Sequence, residues 1–457
     1  MKARCKDPCF FYIYEVLRLK VFLAMKVKLF VTFFVFVSLV VRCYSIDLPE
    51  VIADEIYSGR IKTVQMYGDG GSLTNPLIYL NTGQKLHFTF DDLTDEVANY
   101  YYTIYHCDRN WKLSKISQQE YLETFVDFQL VDYAFSQNTK VKYINYQLEL
   151  PNRDIPIKLS GNYVLVVFNK DAPDEPVITW RFFVVEPMVN IEARIKKGSY
   201  DQSRSGELQE VDFQILHENF RIKDPHTDLK VVVTQNNRFD NALSGLDPVY
   251  FDDKALKYDY DLENNFSGDN EYRSFEIRGI NFPGKGVADV SYHAPVYHIT
   301  LLPDRLRVQE RYTYDREING LYRVEMYDSE HPEVDADYLF VHFTLQMDQV
   351  LAGGGVYVFG ALTNWQCDKP YEMKWNFEKK QYELEILLKQ GYYNYCYAWK
   401  DFTTNKIKIN ALEGSHFETE NDYYVYVYYG RFADRYDRLI GYHQFNSLKD
   451  RALLNDF

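Results

Sequence analysis

Runs of six to eight β-branched and aromatic residues recur along almost the whole chain, and most are bounded by Gly, Pro, Asn or Asp. They include Lys85–Phe90, Tyr100–His106, Tyr163–Asn169, Thr179–Val185, Leu229–Thr234, Tyr338–Leu345, Gly355–Leu362, Tyr382–Leu388, Tyr392–Trp399 and Tyr423–Tyr429. Runs this short, this aromatic and this regularly interrupted read as antiparallel strands of β-sandwiches. The 41 Tyr and 31 Phe supply side chains that suit a half-buried pleated surface. A helical period is found only near Gln118–Phe125. The expected fold class is therefore all-β, a tandem series of immunoglobulin-like or early-set β-sandwiches.

Two breaks suggest boundaries. Val185-Glu186-Pro187 closes one strand series, and Gly353-Gly354-Gly355 opens another. The expected domains are 47–187, 188–345 and 346–430, with 431–457 as a tail that packs back as an edge segment or cap. A transmembrane barrel is the architectural rival, because aromatic strands abound and the last residue is Phe457. Barrel strands run about 9–11 residues with one apolar face. The runs here are shorter and often interrupted by charge, so the sandwich reading is preferred.

Residues 1–45 read as a leader. Lys26 and Lys28 precede an unbroken apolar run from Leu29 to Val41, followed by Arg42, Cys43, Tyr44 and Ser45. A basic region, a short apolar core and small residues at a cleavage point make a secretory signal, with Met25 as the expected start. A lipid anchor on Cys43 is disfavoured by Arg42, which stands where a small residue is wanted. Beyond residue 45 there are 43 basic and 64 acidic residues, a net charge of −21. That balance argues against nucleic acid and anionic lipid as partners. Cys107, Cys367 and Cys396 are then the only cysteines, too few and too uneven for a disulfide framework. A Cys367–Cys396 bridge stays open, with three buried thiols the preferred reading.

Motifs that carry chemistry are scarce. The chain has no nucleophile elbow, zinc-protease, P-loop or C-x-x-C pattern. His106-Cys107-Asp108 is the most tempting triplet, but neighbours on a strand point to opposite faces. His106 is therefore not placed to activate Cys107, and a packing role is expected. Asp259, Asp261 and Glu263 space like a calcium loop, yet Asn264 and Asn270 stand where it needs Gly and Glu. No catalytic residue, metal or cofactor is expected.

The stretch Val356–Trp365, with Phe359-Gly360 and Asn364-Trp365, resembles the glycogen-binding type of early-set sandwich. In such modules rings stack on sugars, which makes Trp365, Trp375 and Trp399 the candidates for an alternative carbohydrate-binding role. Core packing of Trp365 and Trp399 is the preferred reading.

A second resemblance covers about 90 residues. It rests on Tyr102-Thr103-Ile104-Tyr105-His106-Cys107-Asp108, Trp111, Ser114, Glu120-Tyr121-Leu122, Ser136, Asn138-Thr139, Tyr143, Tyr146, Pro151-Asn152 and Leu159-Ser160-Gly161-Asn162-Tyr163. In order and spacing these resemble the N-terminal domain of type 9 secretion system plug proteins. The chain departs from that pattern at Thr124 and at Arg109-Asn110. His106, Cys107, Asp108, Trp111, Gly161, Asn162 and Tyr163 are read as structural family-motif residues, and Tyr163 as a tyrosine corner. The resemblance implies a non-enzymatic, monomeric periplasmic protein with no direct membrane insertion. Its implied partner is a SprA-like outer-membrane translocon barrel, whose periplasmic opening it reversibly closes.

Overall fold

The computed structural model describes residues 46–123, 127–199, 203–431 and 433–450. The chain divides into Met1–Asp47 and Leu48–Phe457. The expected leader and Thr124 lie outside the described residues, and the sandwiches belong to the second unit.

The strand Gly161–Asn169 shows how the sequence dictates the first sandwich. It is buried almost throughout, because Tyr100–Cys107 and Ala172–Val185 pair with its two edges and other segments cover its faces. Its alternate residues Tyr163, Leu165 and Val167 enter the core. They meet Val64, Met66, Phe88, Phe90, Ile144 and Tyr146 from a four-stranded sheet formed by Ile61–Gly68, Leu86–Asp92, Tyr133–Phe135 and Ile144–Leu150. Tyr146 stacks on Phe90 with ring centres 5.1 Å apart. Each such ring contributes roughly 1.5–3 kcal/mol by leaving water. A single helical turn is described in this region, Gln118–Tyr121, closed by a capping box in which Glu120 bonds back to Ser117.

The second sandwich opens after Val185-Glu186-Pro187. One sheet holds Asn190–Lys197, Leu208–Leu216, Tyr250–Phe251, Ala255–Tyr258 and Asn265–Ser267. The facing sheet orders Arg238–Ser244, Leu229–Gln235, Asp422–Tyr429 and Arg438–Asn446. Ile195, Val211, Val231, Val233, Tyr423 and Val425 share its core.

The third sandwich lies between those two halves in the chain. Arg273–Glu276, Tyr322–Val324, Gly354–Phe359, Gly391–Asp401 and Ile407–Lys408 form one sheet. Val287–His293, Val296–Leu301, Asp304–Arg305, Tyr338–Gln346, Lys374–Asn376 and Gln381–Lys389 form the other. Their core spans Phe275 to Leu412.

This arrangement corrects the contiguous boundaries expected at 345/346 and 430/431. Leu229–Gln235 pairs along its length with Asp422–Tyr429, so the third sandwich is inserted into the second. The Gly353–Gly355 turn joins two strands of one core rather than two domains. Residues 438–446 are a nine-residue edge strand, paired with Asp422–Tyr429. Alternation tells which face a strand buries, not which strand it pairs with, and this is why the insertion escapes a linear reading.

Where the chain passes between the second and third cores, Arg238 is buried and pairs with Asp240 at 2.7 Å and Asp269 at 3.3 Å. Asn421 donates to Gln209 and to the Gly268 carbonyl. Among the described residues every sheet is open and has four to six strands, which is not the architecture of the barrel alternative. Among them, no helix is long and apolar enough to cross a membrane.

Candidate functional site

The family-motif residues gather at one end of the first sandwich, against the last hairpin of the second. Asp108 ends the strand Tyr100–Cys107 and organises the following loop. Its Oδ1 accepts from the Asn110 and Lys112 amides at 2.8 and 3.0 Å. The loop turns through Trp111, whose φ is +63° and whose amide donates to the Asp108 carbonyl. Trp111 then packs edge-on against Phe183 and Phe239, one ring from each sandwich.

His106 sits behind this loop. Its Nδ1 accepts from the Ser114 hydroxyl at 2.8 Å, and its Nε2 donates to the Ser160 carbonyl at 3.1 Å. Tyr163 and Tyr436 meet the imidazole edge-on at 4.8 and 5.4 Å. Burial pulls its pKa down to about 4, against the opposing effects of the Ser160 carbonyl and Asp437. The ring is therefore neutral and fully engaged. Burial also pushes the Cys107 thiol up to about 12, and no thiolate forms near neutral pH. The His-Cys-Asp triplet thus has neither the geometry nor the protonation states of a nucleophile with its base.

Gly161 is required where it stands. Its φ is +145°, and a Cβ there would lie 2.4 Å from His106 Nε2. Asn162 donates to the Asp108 carbonyl at 3.1 Å and accepts from the Tyr428 hydroxyl at 2.8 Å, linking the two sandwiches. The Tyr163 hydroxyl donates to the Leu159 carbonyl at 2.8 Å, the geometry of a tyrosine corner. At the rim, the Arg109 amide donates to Asp437 at 3.0 Å and its guanidinium pairs with the same carboxylate at 3.1 Å. Asp437, Tyr428 and Tyr436 are not legible as partners in the sequence, because they lie some 270 to 330 residues away from the motif.

A second joint ties the first sandwich to the third. Lys389 Nζ lies 2.6 Å from Asp91 Oδ2, and both side chains are at most 1% exposed. The Tyr338 hydroxyl and Asn145 Nδ2 also donate to Asp91, at 2.6 and 2.8 Å. Lys389 donates again to the Glu333 carbonyl and lies 4.1 Å from the centre of the Tyr143 ring. Burial lowers the pKa of this ammonium, and Asp91 works the other way.

The three sandwiches meet around a cavity of about 120 Å³ lined by Asp54, Arg181, Phe183, Phe239, Tyr322 and Trp365. Pockets for small organic ligands usually span about 300–1,000 Å³. Arg181 is already paired with Asp54 at 2.9 Å and covered by the rings of Phe239 and Trp111.

The other candidates are dispersed. Trp365 packs edge-on against Phe359 and Tyr272. Trp375 packs on Tyr382 in one sheet of the third sandwich, whereas Trp399 belongs to the opposite sheet. The three half-buried indoles therefore do not share one platform. Near Asp259, Lys196 Nζ bonds Glu210, Asp212 and Asp259 at 2.9, 2.8 and 3.2 Å, taking the place a cation would need. Cys107, Cys367 and Cys396 are free and buried.

Residues 61–186, which contain the whole motif, match the model of the type 9 secretion system plug protein 1st domain. A crystal structure of a hypothetical protein from Parabacteroides merdae ATCC 43184 is similar at 38% identity and a TM-score of 0.84, covering 87% of this chain and 99% of that chain. No curated protein matches the chain. The motif's own residues all lie within the matched span, and the chain carries at residues 61–186 the first domain of the type 9 secretion system plug protein family.

Proposed function

We propose that this protein is a non-enzymatic, monomeric periplasmic plug, held at the outer membrane by a SprA-like translocon barrel whose periplasmic opening it reversibly occludes. Family membership ties it to type 9 secretion. The observation that carries the finer reading is the buried Asp91–Lys389 joint, which fastens the first sandwich to the third through two full charges. A body of sandwiches held together by buried joints loses little freedom when it covers an opening. Release then requires only that a wet, polar outer contact break, not that the body unfold.

The test is permeability. In cells that keep the translocon, deleting the gene should admit a large polar solute such as a glycopeptide antibiotic, and restoring the gene should exclude it again. Unchanged uptake in the deletion strain would overturn occlusion.

A further inference from the structure

We infer that His298, His342 and Glu385, on the outer face of the third sandwich, form a binding site for a divalent transition-metal ion of the zinc or copper class. The site arises from strand register. Val296–Leu301 runs parallel to Tyr338–Gln346, with Thr300 opposite His342. Gln381–Lys389 runs antiparallel to the same strand, with His342 directly opposite Glu385. Ile299, Val341, Phe343 and Ile386 face the core. Alternation therefore turns His298, His342 and Glu385 outward together.

The donor atoms are spaced for one ion. His298 Nδ1 and His342 Nε2 are 2.9 Å apart. Glu385 Oε2 lies 3.4 Å from His342 Nε2 and 3.8 Å from His298 Nδ1. Bonds of about 2.0–2.2 Å to a common centre place neighbouring donors at about 3–3.6 Å, so the 2.9 and 3.8 Å separations reach that range with small side-chain adjustments. The His298 ring is held between Phe340 and His342, with centres 5.2 Å from each. The His293 ring lies 4.8 Å from that of His298 and flanks the site. His342 and Glu385 also border a cavity of about 830 Å³, which leaves an open coordination position accessible to water or a carboxylate.

Two imidazoles and one carboxylate select zinc, copper or nickel over calcium or magnesium. Glu210, Asp212 and Asp259 differ in this respect, since Lys196 fills that carboxylate set. Among the described residues, the ion-pair partners of Glu385 are the two imidazoles themselves. The inference is independent of the occlusion reading.

The test is titration of the full chain, purified without a polyhistidine tag and stripped of metal, with Zn²⁺ by calorimetry and Co²⁺ by visible absorbance. One equivalent should bind, and the bound Co²⁺ should give an intense visible band. His298→Ala and His342→Ala should each weaken binding by about tenfold or more, with melting in the absence of metal nearly unchanged. Absence of saturable binding by the native chain would overturn the site. So would native affinity in the His298→Ala/His342→Ala double variant. Should that variant fail to fold, Glu385→Gln, at an exposed position, decides instead: weaker binding supports the site and native affinity overturns it.

Discussion

Two of the joints that fasten the first sandwich to the others use opposite chemistry. At the motif joint the buried groups are neutral: an uncharged imidazole among tyrosine rings, an asparagine and a glycine, with an ion pair at the rim. At the Lys389 joint two full charges are buried together. The neutral joint tolerates the loss of one partner with a modest penalty, since no ion is stranded. The charged joint does not, because either charge alone is far more costly to bury than the pair. The motif joint thus helps to fix where the second sandwich sits, and the ion pair makes a shift of the third costly.

The sharpest way to break this contrast is Lys389→Met. Stranding Asp91 should cost about 3–5 kcal/mol in urea unfolding, and adding Asp91→Asn should recover much of it. The next effect is set by pH. His106 titrates at about 4 in the folded chain, against an ordinary value of 6.5. The unfolded chain therefore binds the proton more readily, so stability is complete above pH 6.5 and falls as pH drops toward 4. The loss should approach about 3 kcal/mol, and His106→Gln should remove it from the pH profile. The smallest effect is expected at the rim. Arg109→Ala breaks a partly exposed pair with Asp437 and should cost about 1 kcal/mol or less, shrinking further in high salt. A larger cost for Arg109→Ala than for Lys389→Met would reverse the comparison.

The two joints also differ in how visible they are in sequence. One side of the motif joint is local: Asp108, Asn110, Trp111 and Lys112 close one loop, and Gly161–Tyr163 begin one strand, so residue order marks that side though not its partners Tyr428 and Asp437. Asp91 and Lys389 lie 298 residues apart, and neither has an unusual neighbourhood in the chain. The all-β class is legible because alternation such as Tyr382-Glu383-Leu384-Glu385-Ile386 survives in the structure as core, outer face, core. The insertion of the third sandwich is not legible, because nothing in Leu229–Gln235 names Asp422–Tyr429 as its neighbour. The histidine pair with Glu385 is hidden for the same reason, since its three donors come from three strands and form no spaced motif.

If this body seats on an outer-membrane translocon, the two must travel together. Affinity capture of the tagged mature chain from detergent-solubilised outer membrane, with the retained proteins identified by mass spectrometry, reads this directly. One very large translocon barrel should be retained in stoichiometric amount and lost when untagged chain is added in excess. Capture of this protein without any such barrel, from membranes in which the barrel is abundant, would contradict the plug reading.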